Sequence, residues 1–154
     1  MILHPGAIGL PKGRKLPTKK ELYQQNHHMM LAQAKVMKLF HQMVSGGKIG
    51  PALNLTAMYQ ESSRPEDAIA HNWEVLRCWN FADVPVFGSY HPLAWEYMKD
   101  RGIAPELQPG DIECLKDAKP DFIAMNYYST ATIAASRGDA SDVAARAGDQ
   151  QIML

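Results

Sequence analysis

A run of four apolar residues, Phe122, Ile123, Ala124 and Met125, follows Pro120-Asp121 and gives way abruptly to Asn126, Tyr127, Tyr128, Ser129 and Thr130. A short continuous apolar run suits a strand covered on both faces, as in a parallel sheet. In such sheets ligands bind at the carboxyl ends of the strands. Amide and phenol groups in that position supply donors and acceptors, which makes this stretch a candidate site wall. The competing reading makes Tyr127 and Tyr128 core aromatics with a wet hydroxyl, and spacing alone leaves both open.

Other chemistry-bearing residues carry less. His27 and His28 are adjacent, so on a helix they diverge by about 100° and do not share a metal, and His41 is too distant to join them. No HExxH or CxxC spacing occurs. The histidines are therefore expected on a helix surface or in the core, with no metal and no cofactor. Met29, Met30, Met37 and Met43 read as core packing, and Trp73, Trp79 and Trp95 as packing aromatics on helices. "VSGGKIG" lacks the spacing of a phosphate loop and reads as a helix stop.

The elements that must position these residues follow from pattern. Residues 1–20 are punctuated by Pro5, Gly6, Gly9, Pro11, Gly13 and Pro17 and read as loop. Thr18 with Glu21 forms a capping box that opens a long helix. Met29, Ala32, Val36, Phe40 and Met43 recur at steps of three and four, while Met30, Ala34, Met37 and Val44 widen the stripe. This helix is expected to pack on two sides and to end at Gly46-Gly47.

Residues 48–59 read as a buried strand with Pro51 at its start or edge. Pro65-Glu66-Asp67 opens a second helix, with Pro in the first turn and carboxylates near the positive dipole end. A short helix from His91 or Pro92 to Gly102 and another over "DIECLKDAK" precede the stretch that began this reading. Residues 131–154 are small and polar, and read as a surface excursion or frayed end.

The order helix, strand, helices, strand is a piece of a βα-repeat protein with parallel strands. The fold class is α/β, with two to three parallel strands and flanking helices in a single segment over 1–154. A whole (β/α)₈ barrel needs about 250 residues, so 154 residues are short for the architecture they encode.

Composition excludes several classes. Lys+Arg and Asp+Glu are both 16, without the net basic charge that a nucleic-acid binder carries. The basic stretch from Lys12 to Lys20 reads as a solvated loop. Cys78 and Cys114 sit far apart, which suits small buried hydrophobes of a reducing cytosol. Pro5 and Gly6 interrupt the apolar start, and no run approaches the roughly 18 apolar residues of a membrane helix. A soluble cytoplasmic protein is expected, with neither nucleic acid nor membrane as partner.

"YQQNHHMMLAQAKVMKLFH", "KIGPALNLTAMYQESSRPEDAIAHN", "DVPVFGSYHPLAWEYMKDRGIAPEL" and "PDFIAMNYYST" together resemble family 1 glycoside hydrolases, in the branch of bacterial 6-phospho-β-glucosidases. The resemblance covers nearly the whole chain in order. It implies a (β/α)₈ barrel that hydrolyses β-glycosides, here β-glucosides or 6-phospho-β-glucosides, with retention, two glutamates and no metal. It places this chain from just after the fourth strand to just past the sixth. The family's acid/base motif, Asn-Glu-Pro, and its nucleophile motif, Thr-Glu-Asn-Gly, are both absent: no Asn-Glu and no Glu-Asn pair occurs. Met1 is expected to start just after the first motif and Leu154 to end before the second.

Retaining hydrolysis needs two carboxyl groups about 5–5.5 Å apart, one of them a proton donor with a raised pKa. The seven glutamates present, Glu21, Glu61, Glu66, Glu74, Glu96, Glu106 and Glu113, are expected in helices or loops, not at strand ends. No catalytic residue is therefore expected in this chain. By resemblance, Asn126 and Tyr128 match the Asn-x-Tyr of the sixth strand, where the Asn lines the sugar pocket and the Tyr hydroxyl contacts the nucleophile. Strand residues two apart point to one side, and a phenol hydrogen bond lowers a carboxylate pKa. Asn54, near the end of the preceding strand, is a further candidate. A non-catalytic alternative is a unit that self-associates as a homo-oligomer through exposed strand edges.

Overall fold

The computed structural model describes residues 17–136. In chain order these form α1 (Lys19–Met43), β1 (Ala52–Asn54), β2 (Ala57–Gln60), α2 (Pro65–Phe87), α3 (Pro92–Asp100), α4 (Asp111–Lys116), β3 (Ala124–Asn126) and β4 (Thr130–Ile133). The strand expected over 48–59 is broken into β1 and β2, the strand expected from Phe122 is β3, and β4 is a strand the sequence reading did not expect. The β1 strand pairs with β3 and β2 with β4, both in parallel, as separate two-stranded sheets. The described residues therefore hold four short strands, not two or three. The chain divides into two compact units, one of Pro17–Leu55 and Leu76–Asn126, the other built on Thr56–Val75 and the chain from Tyr127.

In the first unit, α1 starts as its capping box dictates. The Glu21 N–H donates to Thr18 Oγ1 at 3.2 Å, and the Thr18 N–H donates to Glu21 Oε2 at 2.6 Å. The helix ends at Met43, just ahead of the Gly46-Gly47 pair. Its packed side is narrower than the stripe expected. Met30, Ala34 and Met37 are buried with Val84 of α2, Leu115 of α4 and Ala118. Met29, Val36 and Met43 are 47%, 58% and 74% exposed, so packing on two sides is not found among the described residues. The residues packed with α1 in this core come from α2, α4 and the chain at Ile49, Tyr90 and Ala118.

A smaller cluster joins Leu53 and Leu55 to Ala82 and Cys78 of α2. It covers one face of the β1–β3 pair. On β3 the expectation of a strand buried on both faces fails: Phe122, Ile123 and Met125 are 45%, 45% and 53% exposed. The exposure falls on both faces of the β3 stretch, since Phe122 and Ile123 alternate sides and Met125 is the register partner of the buried Leu53.

Pro51 immediately precedes β1, where its missing N–H breaks no ladder bond. The ladder extends backward instead. The Asp121 N–H donates to Ile49 O at 2.8 Å and the Ala124 N–H to Pro51 O at 2.9 Å. Between them lies Gly50, where an added Cβ would stand 1.9 Å from Phe122 O. Only glycine lets the two backbones approach this closely.

In the second unit, α2 begins with Pro65 and with Glu66 and Asp67 in its first turn, as the sequence pattern implies. Asp67 is fully buried. Its carboxylate accepts the Ser62 hydroxyl at 2.5 Å and the Ala135 N–H at 2.8 Å, which ties the exit of β4 to the start of the helix. His71 Nε2 lies 3.1 Å from Met58 O and anchors β2 in the same way.

Residues 131–133, expected in a surface excursion, belong to β4. The rest of that stretch from 137, and residues 1–16 of the expected N-terminal loop, lie outside the described residues.

Candidate functional site

The two carboxamides singled out from sequence meet at the carboxyl ends of neighbouring strands. Asn54 closes β1, Asn126 closes β3, and the two are direct partners in the parallel register. Leu53 turns into the α2 cluster. One residue on, Asn54 points to the opposite, open face, because successive strand side chains alternate. Both asparagines are exposed. The register is closed above them by the Leu55 N–H donating to Asn126 O at 3.3 Å. Two carboxamides on one open face give paired donors and acceptors for a hydroxyl-bearing ligand.

Tyr128 lies elsewhere in the secondary structure. The β3 strand ends at Asn126, and Tyr128 sits in the non-strand link 127–129 ahead of β4, where it is 79% exposed. The side-by-side placement of residues two apart holds only within a strand, so strand geometry no longer aligns Tyr128 with Asn126. Tyr128 belongs to the other compact unit. The competing reading of Tyr127 and Tyr128 as core aromatics does not hold, since Tyr127 is 58% exposed as well.

The glutamates stand where sequence put them. Glu21, Glu66, Glu74, Glu96 and Glu113 are on helices, Glu61 follows β2, and Glu106 is in the α3–α4 loop. Glu61 stands directly beyond the carboxyl end of β2, where its N–H donates to Ile133 O at 2.9 Å, and the other six lie away from strand ends. Among the described residues no group of three or more His, Cys, Asp or Glu is placed to hold a metal. No helix there is long and apolar enough to cross a membrane.

Sequence reasoning missed a buried polar network. His27 is fully buried on α1, with Nδ1 2.8 Å from the Tyr90 hydroxyl and Nε2 2.9 Å from Asp111 Oδ2. The histidine hydrogen bond, followed by the Gln108 N–H, holds the Asp111 carboxyl below the usual carboxylate range. Burial, reinforced by Asp111, pushes the Tyr90 phenol well above its ordinary value. The partners stand 63 and 84 residues from His27 in sequence, so no local spacing announces them. Both Asn26 and His27 are buried on α1.

Comparison with known proteins gives this geometry its context. The family model for glycosyl hydrolase family 1 matches residues 5–153. The aryl-phospho-β-D-glucosidase BglC of Bacillus subtilis is 35% identical over 123 residues, covering 74% of this chain and 24% of that protein. The phospho-cellobiase of Klebsiella oxytoca is 36% identical over 129 residues, covering 83% of this chain and 27% of that protein. Among solved structures, the β-glucosidase of Thermotoga maritima in complex with deoxynojirimycin superposes with a TM-score of 0.67 at 25% identity, over 81% of this chain and 28% of that one. The β-glucosidase of Trichoderma harzianum gives a TM-score of 0.68 at 25% identity, over 85% of this chain and 28% of that one. The chain thus spans about a quarter of the length of the relatives it matches. Its fold is a partial (β/α)₈ barrel, and it belongs to glycosyl hydrolase family 1.

Proposed function

We propose that this chain forms one section of the sugar site of a retaining β-glycoside hydrolase acting on 6-phospho-β-glucosides in the cytoplasm, and that it carries neither catalytic glutamate. The observation that carries this reading is the in-register pair Asn54 and Asn126 on the open face at the carboxyl ends of two parallel strands. That is where barrel enzymes of this architecture bind ligands. The phospho-β-glucosidase names of the curated relatives support the substrate class. The absence of any Asn-Glu or Glu-Asn pair supports the lack of a catalytic carboxylate pair. In this reading Asn126 and Asn54 bind sugar hydroxyls, and Tyr128 supports a nucleophile carboxylate supplied from outside the chain.

Two measurements test it. The purified chain should release no chromophore from a chromogenic 6-phospho-β-glucoside. Turnover that survives a contaminant control refutes the lack of catalysts. A chimera of the Bacillus subtilis BglC enzyme with its matching quarter replaced by this chain should hydrolyse the same substrate. Asn126→Ala in the chimera should lower kcat/KM by about tenfold to a hundredfold, the loss of one or two hydrogen bonds to substrate. A chimera that melts cooperatively yet keeps full activity without Asn126 rules out the assigned role.

A second reading rests on the exposed Phe122, Ile123 and Met125 beside a two-stranded sheet. Isolated parallel pairs of this size are not independently stable in water. As a self-associating unit, the chain would cover these residues with a second copy. Sedimentation velocity decides: a monomer at all concentrations tested excludes it.

A further inference from the structure

The buried His27 network joins three parts of the first unit. His27 belongs to α1, Tyr90 lies just ahead of α3, and Asp111 is the first residue of α4. Asp111 Oδ2 receives both His27 Nε2–H, at 2.9 Å, and the Gln108 N–H, at 2.7 Å. The same oxygen therefore fastens α4 and the loop before it to α1. The other charged contacts between these elements are solvated. Lys38 meets Asp117 at 2.7 Å with both side chains 52% exposed, and Lys20 meets Glu106 at 3.1 Å with side chains 54% and 72% exposed. Exposed pairs of this kind contribute little. His28, also on α1, adds a weaker field at Asp111.

We propose that the His27–Asp111 contact is an acid-released latch, which holds α4 and its preceding loop on α1 at neutral pH and frees them in acid before the β1–β3 pair separates. With Asp111 ionised, its Oδ2 accepts from the fully buried His27 ring and from the Gln108 N–H. Once Asp111 takes up a proton, the neutral carboxyl is a weaker acceptor for both donors. A buried donor left poorly paired is costly, and opening α4 to water relieves it. The sign agrees: the folded state holds the Asp111 proton affinity down, so the open state binds more protons and gains as pH falls.

Hydrogen exchange on the full chain, corrected for intrinsic rates and followed from about pH 5.5 to about pH 2.5, tests the latch, because a free Asp titrates at about pH 3.9 and Asp111 in the folded chain titrates lower still. Amide protection over 111–117 should fall by up to about tenfold per pH unit, the slope for uptake of one proton. Protection over 52–54 and 124–126 should hold across that range. Asp111→Asn keeps an oxygen acceptor without a titrating charge and should flatten the α4 slope. Tyr90→Phe leaves the His27–Asp111 contact in place and should retain the slope. Parallel loss of protection in α4 and in the strands overturns the proposal, as does an unchanged slope in Asp111→Asn. If that variant does not fold, the comparison of α4 with the strands in the wild-type chain decides alone.

Discussion

Gly50 shows how a single residue can govern a sheet. Its missing side chain is what lets the 49–51 backbone lie against 121–124, because a Cβ there would overlap Phe122 O. Gly50→Ala should lower stability by about 2 kcal/mol or more, seen as a reduced urea midpoint. Gly88 is constrained twice, by a φ of +68° and by Lys116 Cα at 2.5 Å from an added Cβ. Tyr90 sets a limit at the alkaline side. Burial raises its pKa in the folded chain, so the stability it contributes is fully present below about pH 10 and is lost as pH rises toward the folded value. Unfolding midpoints should fall above about pH 10, and Tyr90→Phe should lessen that fall. At this scale the strand-end positions of Asn54 and Asn126 were legible: Asn126 stands where an apolar run turns polar, and Asn54 was expected near the end of the preceding strand. Gly50 and the His27–Tyr90–Asp111 network were not, because their partners come from distant parts of the chain and leave no periodic trace.

The elements were legible where local chemistry fixes them. The capping box at Thr18 and Glu21, Pro65 in the first turn of α2, and Pro51 ahead of β1 all stand as their side chains require. The two sides of α1 were not separable, since both carry apolar residues at helical spacing and only contact tells them apart. Met37→Ala, which removes a buried side chain from the larger cluster, should cost about 3 kcal/mol. Met43→Ala, at 74% exposure, should change stability by less than about 0.5 kcal/mol. Thermal or urea unfolding of the pair of variants checks both. The break of the 48–59 strand into two, and the separate strand β4, were likewise invisible. Leu55-Thr56 and Tyr127–Ser129 hold residues compatible with a strand, and the change of pairing partner between β1–β3 and β2–β4 is a tertiary fact. The end of β3 at Asn126 also removed the argument that placed Tyr128 beside it.

At the scale of the whole molecule, the described residues leave many large apolar side chains exposed. Phe87 is 70% exposed, Tyr59 60%, and the β3 approach about half. If copies cover one another, as in the second reading above, association stabilises the folded form by mass action. The melting temperature should then rise with protein concentration, and a concentration-independent value argues for a monomer.

The strand ladders also carry a kinetic consequence. Ile49 and Asp121, which begin the first ladder, are 72 residues apart in sequence. Neither two-stranded sheet contains a hairpin, since every pairing is parallel. The helices between them can form from local contacts, whereas the strands must wait for a long loop to close before any ladder bond rewards it. Refolding should therefore run in two stages, early gain of helical circular dichroism followed by slower protection of the strand amides. The bonds that bring Asn54 and Asn126 together would be among those made late.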